Sequence, residues 1–476
     1  MAIPGLYVKI KRVQIYSSLN HSSNHSLTRA MAIAPPPVPA VAPSAARLTP
    51  IPDDRLDVVI VGGGIVGLTL ACSLGEAGLT VAVVERQPLS QGLGNGRSYA
   101  LTLLTGDIFQ GMGLWDEIRT QITAFDTIQL SDGHYPGVVQ LRAEHLRRSA
   151  LGYVGEHRVL LHALWQRLQT LDTVTWLCPA QVLAVDYGPA SPAPARATVT
   201  LTHSDGSLHR LHTPLVVAAD GARSPLRCGA GIGTKGWAYW QSCIGFTVRT
   251  EKPHNNTAYE RFWPSGPFAI LPLPGQRCQV VWTAPHDEAQ RLAALPEAEF
   301  TALLMERFGS PMGAVQLDSP RIVFPVQLMH SDRYSQEGLA LVGDAAHCCH
   351  PVGGQGMNLG IRDAVALGEV VKTAQGRGED WGSGAVLKRY ERWRRWENWA
   401  ILAFTDGLDR CFSNGFWPLV WARRLGLHTL QTVAPVRQMA LGLMTGQLGR
   451  KPSVAIAPPP VLPVPVIPDP GDHASP

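Results

Sequence analysis

Three glycines, Gly62, Gly64 and Gly67, occur in the spacing GxGxxG between DVVIV and IVGLTLACSLGEAG. Such a loop suits a dinucleotide: the first glycine permits a tight turn, the second lets a pyrophosphate approach the backbone, and the third lets helix and strand pack closely. The helix that follows presents free N–H groups to the phosphates. Glu85, with Arg86 beside it, closes the next apolar run, LTVAVVER, about 20 residues on, where an acidic side chain can bind ribose hydroxyls. The loop alone leaves NAD and FAD open. Two later segments add polar groups at strand ends: DGARSPLR brings Asp220, Gly221, Ser224 and Arg227 to where they can line a cleft, and GDAAHCCHPVGGQGMNLGIRDA brings Asp344, a glycine-rich loop and a helix starting near Gly356. That helix end can stabilise negative charge.

The elements positioning these groups follow from hydrophobic patterning. DVVIVGGG, IVGLTLACSLGEAG and LTVAVVER make a βαβ unit, and the short apolar runs LVVAADG (215–221) and LALVGDAAH (339–347) predict further buried parallel strands. Residues 236–330 alternate, as in IGFTVRT, AYERFW and RCQVVWT, between Pro and Gly turns, which predicts a mainly antiparallel sheet beside the nucleotide domain. From about 386 to 445 the texture is helical, ending near Gly446.

Composition sets outer bounds. A chain of 476 residues, 45% hydrophobic and 16% charged, can build two or three domains. Its net charge of +4 comes from residues 1–52, where Lys9, Lys11, Arg12, Arg29 and Arg47 meet no acidic residue; the remainder, at −1, gives no support for a nucleic-acid partner. Eight cysteines without an even framework fit reduced thiols in a cytoplasmic setting. No uninterrupted apolar run of ~18 residues suggests a transmembrane helix, leaving a soluble or peripherally attached protein. Residues 1–54 are acid-poor and rich in Ser, Ala and Pro, and are expected to be disordered. They read as an over-extended start, with Met31 the initiator, rather than as a targeting peptide. Residues 451–476 are expected to form a flexible tail.

Taken in order, the three motifs resemble those of the single-component FAD-dependent aromatic hydroxylases, and within them the ubiquinone-biosynthesis hydroxylases. GDAAHCCHPVGGQGMNLGIRDA is similar to that group's GDAAH…HP…GQG.N.G..D stretch, ERFWPSGPFAILPL to its substrate-domain strand pair, and RSYALTLLTGDIFQGMGLWDEI and GEHRVLLHALWQRL to its linking segments, together covering roughly 55–450. The resemblance implies FAD as cofactor and NAD(P)H as transient co-substrate, with oxygen from O2 placed on an electron-rich ring of a prenylated phenol. It implies that Glu85 holds the adenosine ribose, that Arg97 and Arg158 lie near the FAD phosphates or adenine, and that Asp344 binds the ribityl chain. Pro351 and the loop through Gly353, Gly354, Gly356, Met357 and Asn358 would lie against the isoalloxazine ring. Asp220 and Arg227 fall in the motif that serves both FAD and NADPH. No nucleophilic triad is needed. The lack of a second GxGxxG between strand and helix argues against a two-dinucleotide reductase.

The expected fold class is therefore α/β: a Rossmann-like FAD-binding domain from 55–130, 150–235 and 330–375, a β-rich substrate domain from 131–149 and 236–329, and a C-terminal helical region, 376–450. A prenyl reductase or epoxidase of the same fold, and a flavin-binding assembly protein without catalysis, are the rival readings. His347-Cys348-Cys349-His350 is read as packing beside the flavin rather than as a metal site or covalent attachment, since adjacent ligands on one loop close a tetrahedral site poorly. Trp393, Trp396 and Trp399 are read as core, with a solvated basic face from Arg392, Arg394 and Arg395. FWPLVWARRLGL (416–427) is read as tertiary packing, with membrane-surface contact the alternative.

Overall fold

The computed structural model describes residues 56–133, 137–188 and 195–456. The expectations for residues 1–54 lie outside these, as do those for the tail beyond 456. Within the tail segment, Ser453–Ala455 forms a short 3-10 turn, and Val454 and Ala455 pack on the main core. The expected flexibility therefore does not reach back to residue 451.

Val58–Val61 and Val81–Val84 are fully apolar strands paired in parallel, joined by the Ile65–Gly75 helix. That helix is buried on nearly every side, which its all-round apolar composition allows, and it stops before Gly78, which takes a left-handed φ of +80°. LVVAADG and LALVGDAAH supply the parallel strands Leu215–Ala218 and Leu339–Leu341. The resulting sheet runs Ser335–Gln336, Leu339–Leu341, Leu215–Ala218, Val58–Val61, Val81–Val84, Val174–Leu177, parallel except at the first pair. The Gly62, Asp220 and Asp344 turns all leave the carboxyl ends of its central strands. In an open parallel sheet this is where a ligand crevice forms.

The alternating segments build a second sheet in which all neighbouring strands are antiparallel except Thr257–Trp263 beside Thr127–Asp132. It also contains an insertion absent from the sequence reading, the helices His286–Ala294 and Glu297–Phe308. Period-2 alternation gives this sheet two apolar faces. Ile244, Phe246, Val248, Phe268, Ile270, Val280 and Trp282 pack against Phe300, Leu304 and Phe308 of the helices. Burying each large side chain there contributes ~2–3 kcal/mol, which fixes the strand register. The opposite face, through Ala258, Glu260, Phe262, Ala269, Leu271, Val281 and Thr283, is turned to a cavity.

The helical end comprises Gly384–Phe412, Trp417–Thr432 and Ala434–Met444. Here one expectation fails and a second holds only in part. Trp393 is buried, but Trp396 and Trp399 are 71% and 49% exposed and lean on each other, while Arg394 is the residue in the core. A three-residue step turns about 300° around a helix, so Trp399 sits about 120° from Trp393; Arg394, Asn398, Ile401 and Thr405 follow the buried stripe instead. The packing expected of 416–427 holds for Leu427, which joins a core cluster, and for Arg423, which pairs with Asp132 at 2.7 Å, but Phe416, Trp417, Trp421 and Leu425 are exposed, and among the described residues only Leu427 of the Trp417–Thr432 helix is buried.

Candidate functional site

At the first loop, Gly62 has φ +112°, and a Cβ there would collide with the Ala219 carbonyl; one at Gly67 would collide with the Gly62 carbonyl. A Cβ at Gly64, in contrast, would meet nothing within 4 Å. Two glycines thus let the backbone close up, and the third leaves open space before the helix. Gly63, which the motif reading passed over, is equally constrained, because a Cβ would enter the Trp176 ring. Glu85 braces the loop: Oε2 accepts from the Gly63 N–H and Oε1 from the Gln87 N–H, each at 2.7 Å. Glu85 and exposed Arg86 line the cavity.

The second loop ends on the Gln355–Gly376 helix, capped by Gly354 at φ +62°. Neither this helix nor Ile65–Gly75 has a side-chain cap or an acidic residue in its first turn. Both therefore present unsatisfied N–H groups to the same cavity, which Gly64, Ile65, Gly67, Gln355, Gly356 and Met357 line. The helices meet at Gly360, where a Cβ would lie 2.7 Å from Val66 Cγ2 and 3.2 Å from Gly343 Cα. Pro351, Gly353 and Gly354 also line the cavity. Asn358 does not: it is buried, accepts from the Thr102 N–H (2.8 Å) and Thr105 Oγ1 (2.7 Å), and donates to the Ala100 and Gly354 carbonyls (both 2.8 Å). With every amide group satisfied, it locks the loop to the Ser98–Thr102 strand.

Between the loops, Asp220 and Asp344 face the cavity. Asp220 Oδ2 accepts from the Leu226 N–H at 3.3 Å, while buried Oδ1 has no partner among the described residues. Asp344 is exposed where it lines the cavity, and desolvation by the surrounding protein raises its carboxyl pKa against the favourable fields of His347 and Arg97. Arg97 lines the cavity and lies over the Phe324 ring. Tyr99 and His157 also line it, 3.1 Å apart; burial and Arg97 push His157 down to about 4, so the ring is neutral near pH 7. Arg158, one residue along, pairs with Glu156 at 2.7 Å and is not among the lining residues. Ser224 and Arg227 are buried instead of lining the cleft: Ser224 caps the Pro225–Gly229 turn, and Arg227 donates to the Ala345 and Ala222 carbonyls (2.8 and 3.0 Å), tying the two aspartate loops together.

Behind Asp344 lies a network the sequence reading did not identify. Asp363 Oδ2 is 2.5 Å from His347 Nε2 and accepts from the Gly343 N–H (3.2 Å); Oδ1 accepts from Arg394 Nε (2.8 Å) and Asn398 Nδ2 (2.9 Å). Burial opposes its ionisation, but His347, Arg394 and these hydrogen bonds outweigh that and hold the carboxyl down to about 2. The network grips the turn carrying Asp344 at both ends. Asp363 was visible as the last residue of the motif, without a signal for its role. Cys348 and Cys349 line the cavity with thiols that burial pushes up, Cys349 to about 12, so both are protonated and unreactive near pH 7.

The glycine loops, Glu85, Arg86, Arg97, Tyr99, His157, Asp220, Asp344, Cys348 and Cys349 border one cavity of about 1990 Å³. That is roughly twice the upper range for a single drug-sized ligand, ~1,000 Å³. From the glycine loop it reaches the second sheet, where Leu130, Ala258, Phe262, Ala269, Leu271, Val281 and Phe324 give it apolar walls, and the C-terminal helices, where Phe412 stacks on Phe262 and Leu427, Leu430 and Met444 close the side. Glu260 lies among these apolar residues, opposite Ala269 and Leu130, whereas Asp132, on the same face of the neighbouring strand, is paired with Arg423 at 2.7 Å.

The two uncapped helix ends, the space before Gly64 and the unpartnered Asp220 oxygen fit a long anionic dinucleotide, with a second apolar chamber beyond. Fold and site thus define a flavoprotein with a separate substrate chamber. The family described as FAD binding domain matches residues 55–405. An uncharacterized protein of Synechocystis is 51% identical over 405 residues, covering 85% of this chain and 96% of its own. The ubiquinone hydroxylase UbiL of Rhodospirillum rubrum is 40% identical over 400 residues, covering 83% and 91%. Among solved structures, p-nitrophenol 4-monooxygenase of Pseudomonas putida shares the fold with a TM-score of 0.70 at 21% identity, covering 83% of this chain and 99% of that one. The chain belongs to the FAD-dependent aromatic hydroxylases, in the ubiquinone-biosynthesis hydroxylase family, and binds FAD.

Proposed function

We propose that this protein hydroxylates the aromatic ring of a prenylated quinone precursor, in ubiquinone- or plastoquinone-type biosynthesis, with NAD(P)H as transient co-substrate and O2 as oxygen source. The observation carrying this reading is the continuity of the cavity, which joins a dinucleotide cradle to an apolar chamber walled by sheet and C-terminal helices. FAD, when bound, supplies the electron transfer and oxygen activation. The chain's part is to hold, orient and exclude water. Gly62, Gly64 and Gly67 place the pyrophosphate at a helix N-terminus, Glu85 and Arg86 take the ribose side, Arg97 lies toward the phosphates, and Asp220 and Asp344 receive the remaining polar groups of the cofactor. Pro351, Gly354, Gly356 and Met357 meet the ring system, with the helix N-terminus favouring negative charge there. Arg158, Arg227 and Asn358 serve the frame.

The exposed row of Trp417, Trp421 and Leu425, on the helix whose Leu427 and Leu430 line the cavity, supports peripheral attachment to a membrane from which a prenylated substrate enters. No helix among the described residues is long and apolar enough to cross a membrane.

Deleting the gene and analysing quinone precursors by mass spectrometry tests the function. Accumulation of a prenylated ring lacking one hydroxyl is expected; an unchanged quinone profile overturns the assignment.

A further inference from the structure

The apolar chamber contains one feature out of keeping with its walls. Glu260 sits mid-strand in Thr257–Trp263, opposite Ala269 on one side and Leu130 on the other. Its neighbours on the inward face are Ala258 and Phe262. The backbone N–H of Gly353, in the loop between Pro351 and Gly354, favours the ionised form of its carboxyl. Oε1 is closed off from solvent and has no hydrogen-bond partner among the described residues. Among the described residues no ion pair reaches it, and burial lifts the carboxyl to about 8. A carboxyl buried among apolar side chains with one oxygen unsatisfied is destabilising by itself. The sheet's rear face is packed with ordinary apolar residues at equivalent positions, so packing gives no reason for an acid here.

We propose that Glu260 is the recognition group for the ring oxygen of the aromatic substrate. The carboxyl edge open to the cavity hydrogen-bonds a phenolic hydroxyl and registers the ring against the Pro351–Gly356 loop. The proposal rests on the aromatic-hydroxylase reading of the chamber. The acid form near pH 7 donates to or accepts from a phenol, and the ionised form accepts from it, so recognition holds in either state. The apolar walls beside Glu260, from Leu130, Ala258, Phe262 and Ala269, would by themselves accept a hydrocarbon as readily as a phenol. A site built around a polar partner rejects the analogue that lacks it, because its own group is then left unpaired.

The test is equilibrium binding to the FAD-loaded protein, followed by perturbation of the flavin absorbance, with 2-geranylphenol and geranylbenzene as probes. The unsubstituted protein is expected to prefer the phenol by about tenfold or more. Glu260→Leu is expected to reduce that preference to less than about threefold while binding geranylbenzene at least as well, and Glu260→Gln, which keeps a polar partner of the same shape, to retain part of it. Flavin content and melting temperature show that both variants are folded. An unchanged preference in Glu260→Leu overturns the proposal, and so does an equal weakening for both probes, which marks a structural role. Failure of the unsubstituted protein to bind either probe overturns the aromatic-substrate reading and this inference with it.

Discussion

Asp363→Asn puts the network behind Asp344 under a quantitative strain. In the native protein Asp363 and Arg394 are 0% and 1% exposed, and the carboxylate accepts from or contacts four groups. Removing one partner of a buried pair leaves the other charge uncompensated, at about 3–5 kcal/mol. Arg394 keeps Glu397 and Asn398, which places the loss near the lower end, about 3 kcal/mol. The titration gives an independent figure. The carboxyl is held at about 2 against an ordinary 3.8, and a shift of roughly two units corresponds to about 2–3 kcal/mol. Because the folded value is depressed, this stability is fully present above pH 4 and is lost as pH falls from 4 towards 2. Urea unfolding of wild type and Asp363→Asn across pH 7 to 3 measures both. The gap is expected to stay level from pH 7 to 5 and to narrow below 4. FAD affinity should fall as well, since Asp363 holds the Gly343 end of the Asp344 turn. A gap under about 1 kcal/mol at pH 7 refutes the estimate, and one that already closes between pH 7 and 5 places the titration on another group.

Asp344→Ala is expected to release the flavin, at about 10- to 100-fold in affinity for a lost charged hydrogen-bond acceptor; full flavin occupancy after desalting would sink the assigned role. Gly67→Ala sets a methyl against the Gly62 carbonyl and is expected to yield a colourless protein destabilised by about 1–3 kcal/mol, read from absorbance and melting. Trp417→Ser with Trp421→Ser is expected to reduce co-sedimentation with phosphatidylserine-containing vesicles severalfold while leaving flavin content intact. Undiminished sedimentation removes this face from the membrane reading.

The nucleotide frame was readable along the chain because its signals are local. A strand, three spaced glycines and a helix need only their own residues to specify a βαβ unit, and the apolar runs at 215–218 and 339–341 declared themselves by composition. The alternating segments likewise disclosed a two-faced sheet, though not which face met helices and which met a cavity. Arg97 and Arg158 show the limit. Both are arginines at strand or helix boundaries, yet one lines the cavity and the other folds back on Glu156. The tryptophan triplet misled because a three-residue spacing resembles a stripe in sequence while walking around the helix.

By itself the sequence determined a glycine-rich dinucleotide loop, its helix, the parallel strands around it and the family whose motifs it carries. Only the tertiary structure decided which polar groups share one space: that Asn358, Ser224 and Arg227 turn inward as fasteners, that Asp363 anchors the Asp344 turn through Arg394, and that Glu260 borders an apolar chamber with one carboxyl oxygen unpartnered among the described residues. The physical reason is range. Patterning and turn chemistry act between residues a few positions apart, whereas desolvation and charge pairing depend on neighbours brought together from across the chain.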